Sequence, residues 1–134
     1  MPRSFSRIIV APATSDPMRG VYYRWLFFGA GPFEAAVTNT ALGVQVPAER
    51  QRMVGYGRMS DVVDTLEAAV SQPGYLAGER FSAADVYIGS QIGFGLMFGS
   101  IEKRPAFAAY WERLRHRPAA LRARAMDDAL MPKE

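Results

Sequence analysis

The segment ADVYIGSQIGFGLMFGSI, residues 84–101, is apolar on nearly every side of a helical projection and carries Gly89, Gly93, Gly95 and Gly99. A helix without a polar face belongs in the interior of its protein. The apolar run from Val86 to Ile101 is interrupted by Ser90, Gln91 and Ser100 and falls short of the ~20 residues that cross a bilayer, so no membrane partner is expected. Glycine inside a helix costs about 1 kcal/mol relative to alanine, and close approach of a neighbour is the compensation that would justify four of them. The segment is therefore predicted to be a buried central helix with other helices pressed against several sides.

Its beginning is specified just as tightly, by the stretch YLAGERFSAADVYIG from Tyr75 to Gly89. A short Tyr75-Leu76 element leads into an Ala77-Gly78 turn, and no longer strand is expected. Ser82 is the predicted N-cap, its hydroxyl placed to accept from the Asp85 amide while the Asp85 carboxylate reaches back to the Ser82 amide, a shortened capping box. Phe81 and Val86 flank it in the positions of a hydrophobic staple.

Other helices are readable around this one. Asp16 followed by Pro17 suits a helix start, and Tyr22, Trp25, Leu26, Gly29, Phe33 and Val37 then recur at helical spacing as far as Gly43, a C-cap. Pro32 lies inside that run and predicts a kink near Gly29 to Gly31. From Ala48 to Val70 the pattern reads as one amphipathic helix, with Met59, Val62, Val63, Leu66 and Val70 on its apolar stripe. Two shorter helices are opened by Pro105, with Phe107, Tyr110, Trp111 and Leu114 inward, and by Pro118, with Leu121 and Ala125 inward. The expected fold is all-α, a bundle of five main helices, with residues 1–16 as arm and linker, 17–131 as the helical domain and 132–134 as a tail.

The chain contains no cysteine, which excludes disulfides, thiolate metal sites and a cysteine nucleophile. A net charge of +3 is too mild to imply nucleic acid as a partner, and Arg113, Arg115, Arg117, Arg122 and Arg124 have no aromatics interleaved with them, as a stacking surface would require. They read as a solvated rim. The single His116 has no metal spacing around it and reads as a surface residue, so neither a metal site nor a catalytic residue is assigned. The apolar run Ile8 to Ala11 is shorter than the roughly 7–15 apolar residues of a signal peptide, and a cytoplasmic location is expected.

The helix order, with YLAGERFSAAD leading into the central helix and RPAFAAYWERLRHRPAALRA after it, resembles the C-terminal domain of the cytosolic glutathione transferase family. The resemblance runs from about Val10 to Leu130. YYRWLFFGAGPFEAAVTN is similar to the first long helix of that domain in bacterial members, and APATSDPMRG to the linker before it. The resemblance implies an apolar pocket for a hydrophobic electrophile, with Tyr22, Tyr23, Trp25, Phe28 and Phe33 as candidate lining, although aromatics at such spacing more often serve as core. It also implies a homodimer in which the first helix, Met18 to Leu42, pairs with the Ala48 to Val70 helix of its mate.

In the family resembled, glutathione is held mainly by an N-terminal thioredoxin-like domain of about 80 residues carrying a Tyr, Ser or Cys that stabilises the thiolate. Only a dozen or so residues precede the linker-like segment here, so that domain is not expected within the chain. Glutathione is then a co-substrate only where a thioredoxin-like domain is supplied, and no cofactor is expected on this chain itself. The function that follows is the electrophile-binding half of a glutathione transferase, inactive alone. The alternative is a non-catalytic dimerisation or ligand-binding module. In either case the face that would meet the second domain must be exposed, paired with another chain or covered by residues 1–16, with Phe5, Ile8 and Ile9 of the arm as the candidate cover.

Overall fold

The computed structural model describes residues 10–131, so Phe5, Ile8, Ile9 and the tail 132–134 lie outside the described residues. The described residues form α-helices and no strand, apart from an isolated bridge between Tyr75 and Gly78. The chain first turns helical where expected. Asp16 Oδ1 accepts the Met18 amide at 2.8 Å, giving a partner to one of the donors that a helix start leaves open.

Helix α1 (Met18–Phe28) runs into a π-helical turn (Gly29–Phe33) and then α2 (Glu34–Ala41). The kink expected near Gly29 is this π-turn. Pro32 has no N–H to donate, and the wider turn lets the Glu34 amide bond back to the Gly29 carbonyl instead of continuing the ordinary ladder. Taken as one interrupted rod, α1 and α2 count as the first of five main helices.

The next stretch departs from expectation. In place of one helix from Ala48 to Val70 there is a short 3-10 helix (Ala48–Met53), a bend, and then α3 (Met59–Val70). Gly55 and Gly57 adopt φ of 73° and 72°, a left-handed conformation that ends a helix and that side chains resist. The amphipathic period continued through the break and concealed it. Helix α3 starts anew at its own capping box, with the Arg58 amide donating to Asp61 Oδ2 at 3.0 Å. Val62, Val63, Leu66 and Val70 are buried as read.

Helix α4 (Ala83–Phe98) occupies the centre, followed by α5 (Pro105–Arg115) and α6 (Pro118–Leu130). Ala84, Ile88 and Ile92 of α4 are fully buried, against α1 on one side and α5 on another. The glycine reading is explained directly at Gly93, where a Cβ would lie 2.7 Å from the Trp111 ring. The indole takes the space a side chain would need. Arg104 fastens α3 to the turn before α5, donating to Asp64 and Glu67, each at 2.7 Å, and to Glu102.

Helix α6 corrects a second expectation, since Leu121 and Ala125 are exposed rather than inward. Among the described residues of α6 only Ala120 near its start is half-buried, and the main contact of the helix is with α5.

Candidate functional site

The crossing of the first rod over α4 sets the geometry of the candidate site. At Gly29 a Cβ would lie 2.8 Å from Gln91 Oε1 and 2.9 Å from Tyr87 Cε1, so the absent side chain lets the helices close. Gln91 Nε2 donates to the Gly29 carbonyl at 3.1 Å and bridges the crossing. Beyond it, Phe33, Val37, Gln91 and Phe94 line a shallow recess of about 180 Å³. A larger recess of about 370 Å³ lies by the start of α3, between Met59, Val63, Ile101 and Arg104.

The five aromatic candidates separate by position. Tyr22, Trp25 and Phe33 are buried core residues, and of these Phe33 also forms recess wall. Phe28 is half-buried, edge-on to Trp25 at 5.5 Å. Tyr23 is exposed, with the Arg19 guanidinium over its ring at 4.8 Å and donating to its hydroxyl at 2.6 Å. The structure thus does not gather the five around one cavity.

It exposes other aromatics instead. Phe27 of α1 is 73% exposed, and Phe94 and Phe98 of α4 are 58% and 72% exposed and stacked on each other with ring centroids 6.1 Å apart. Val86, Ser90, Phe94 and Met97 recur at four, four and three residues and mark one face of α4. That face lies between the Gly89 and Gly93 side, which receives α5, and the Tyr87 and Gln91 side, which receives Gly29. The signal was legible: small residues show where a helix is approached, and the bulky arc beside them is left over. All-round apolar character hid it.

The capping box at the head of α4 is present and larger than the sequence suggests. Asp85 is fully buried. Its Oδ2 accepts the Ser82 amide at 2.9 Å and the Ser82 hydroxyl at 3.1 Å, while Oδ1 accepts the Leu76 amide at 3.0 Å and the Tyr110 hydroxyl at 2.7 Å. Burial pushes the Tyr110 phenol well above the usual tyrosine range, and the charge of Asp85 and its hydrogen bond push the same way. Tyr110 is therefore a protonated donor that holds the node together. Phe81 packs edge-on against Tyr75 at 5.7 Å with the Arg117 guanidinium over its face at 3.5 Å, while Val86 is half-exposed.

Arg113 likewise covers Tyr75 at 4.8 Å and Tyr110 at 5.5 Å. Part of the arginine rim is thus seated on ring faces, and the contacts to Tyr75 and Phe81 join residues distant in sequence. His116 is exposed, with Nδ1 2.9 Å from the Glu112 carbonyl at the end of α5. Among the described residues no group of three His, Asp or Glu is placed to hold a metal ion, and no helix is long and apolar enough to cross a membrane. The site as built offers apolar contact area and backbone-anchored polar groups.

Comparison with known proteins adds one finding: residues 41–118 match the family described as glutathione S-transferase, C-terminal domain. The matched span runs from the end of α2 through α5 and includes the Asp85 node. No curated protein matches the chain.

Proposed function

The chain belongs to the glutathione S-transferase C-terminal domain family, and from that premise we propose that it serves in the cytoplasm as the helical half of a glutathione transferase. In this reading it presents an apolar surface to a hydrophobic electrophile, while a thioredoxin-like domain supplies activated glutathione. The observation that carries the reading is the pair of exposed, mutually stacked aromatics Phe94 and Phe98 on α4, beside the recess that Phe94 shares with Phe33 and Val37. Large apolar patches are seldom left open on soluble monomers and mark ligand or partner surfaces. Phe33 adds contact area where it lines the recess beside Phe94, and Tyr22, Tyr23, Trp25 and Phe28 remain candidates for contact on the first rod.

The division of labour sets the test. Trp25 and Trp111 provide intrinsic fluorescence, and the chain alone is expected to bind an electrophilic aromatic compound saturably without accelerating its conjugation to glutathione. Replacing Phe94 and Phe98 together by serine should weaken that binding. Absence of saturable binding overturns the pocket role, and turnover by the repurified chain above the uncatalysed rate overturns the division.

A second reading, a dimerisation module, is favoured by Leu42, Val44 and Met53, which are exposed around the connection from α2 to α3. A twofold pairing of the α1–α2 rod with the mate's 3-10 turn and α3 would cover them.

A further inference from the structure

Helix α6 is built against its own electrostatics. Arg122 and Arg124 lie in its first half and Asp127 and Asp128 in its last turn, the reverse of the order that the helix dipole favours. Arg124 precedes Asp128 by four residues, yet among the described residues none of these four charges forms an ion pair. The helix also carries apolar side chains that none of the described residues covers. Ala119, Ala123, Met126 and Leu130 recur at four, three and four residues, the spacing of a helix-pairing seam, and Met126 and Leu130 are 70% and 85% exposed. A helix of 13 residues is marginal by itself in water, where about 12–15 residues is the lower limit even for favourable sequences.

We propose that α6 is a self-association helix, whose partner is the α6 of a second copy of this chain lying antiparallel to it. Antiparallel pairing reverses one dipole against the other and brings the basic half of each helix beside the acidic half of its mate. A twofold axis passing beside residues 124 and 125 sets Ala119 opposite Leu130, and Ala123 opposite Met126, so small residues face large ones. On one flank of that seam Arg124 then meets the mate's Asp127, and symmetry makes the same pair twice. The charge order that is unfavourable in an isolated helix becomes complementary in this dimer, which is the reason for choosing a second copy as the occupant. This face is separate from the surface between α2 and α3 and does not depend on glutathione or on an electrophile.

The seam is about 20 Å long at 1.5 Å per residue, smaller than the interface of a permanent dimer, so the association is weak, with a dissociation constant in the range of roughly 10⁻⁵ to 10⁻⁴ M. Sedimentation equilibrium of the full chain from about 5 to 500 µM brackets that range. Arg124→Asp should weaken association at least about tenfold, Asp127→Arg should do the same, and the double variant Arg124→Asp/Asp127→Arg should restore it. All of these positions are exposed, and circular dichroism matching the parent shows that each variant is folded. A monomer throughout the range overturns the proposal. So does association that ignores both single changes, which places the contact on another face, or failure of the double swap to restore it.

Discussion

Replacing Asp85 by alanine should destabilise this chain more than any other single polar substitution, and the structure supplies the size of the effect. The carboxylate is fully buried and accepts four hydrogen bonds, from the Leu76 and Ser82 amides and the Ser82 and Tyr110 hydroxyls. Each hydrogen bond to a charged group contributes about 1.5–3 kcal/mol, while taking the ion out of water costs several kcal/mol. The hydroxyls can rotate toward other acceptors, but the two amides cannot. The expected net loss for Asp85→Ala is about 3–5 kcal/mol, a large share of the ~5–15 kcal/mol that holds a domain folded. Asp85→Asn keeps the shape and one acceptor oxygen, yet either orientation of its amide sets an N–H against a backbone donor, so about 2–4 kcal/mol should be lost. Ser82→Ala removes one donor of four and should cost only about 1 kcal/mol. Urea unfolding with linear extrapolation measures the series. An Asp85→Ala chain within 1 kcal/mol of the parent, or no less stable than Ser82→Ala, refutes the claim that this node organises the head of α4.

Tyr110 gives the same node a pH signature. Its pKa is raised in the fold by burial and by Asp85, so the native chain keeps a proton that the unfolded chain releases near pH 10. The stabilisation is complete below about pH 10 and declines above it by up to ~1.4 kcal/mol per pH unit; Tyr110→Phe should remove one proton's share of that alkaline slope, and an unchanged slope rejects the assignment. Glycine substitutions should divide by location. At Gly93 a Cβ meets the Trp111 ring, whereas at Gly20 nothing lies within 4 Å, so Gly93→Ala should cost about 1–3 kcal/mol and Gly20→Ala should stabilise by about 0.5–1 kcal/mol. Thermal unfolding of the two variants checks the signs, and equal effects would show that the α4–α5 contact yields easily. Arg104→Ala should loosen the join between α3 and the turn before α5 by removing its bonds to Asp64, Glu67 and Glu102. Native-state hydrogen exchange would show faster exchange at the ends of those elements, and unchanged protection there rejects that role.

Much of the fold was legible because its signals are local. The Asp16-Pro17 start, the proline-induced irregularity at Gly29 to Phe33, the stripe of α3 and the box from Ser82 to Asp85 each depend on residues within a few positions of one another. The break at Gly55 and Gly57 was missed because the apolar period crosses it unaltered, and periodicity alone registers no change when two glycines turn left-handed. Helix α6 was read as packed because its composition allows an inward face. Composition does not show whether a neighbour reaches that face, and here α5 meets only its beginning.

The sequence by itself determined that the chain is all-α, that α4 is central, and where that helix begins, since an apolar segment has only the interior to occupy and a cap acts on its own first turn. The glycines of α4 hint at which side is approached, but only the tertiary structure decided which neighbour takes each side and which aromatics are spent in the core. Those outcomes depend on helix crossings at Gly29 and Gly93, between residues 62 and 18 positions apart in the case of Gly29 with Gln91 and Gly93 with Trp111. The same holds for Asp85, whose partners Leu76 and Tyr110 lie nine and 25 positions away. A carboxylate can be read locally as a cap, but its burial and its full set of donors exist only once α5 has packed against α4.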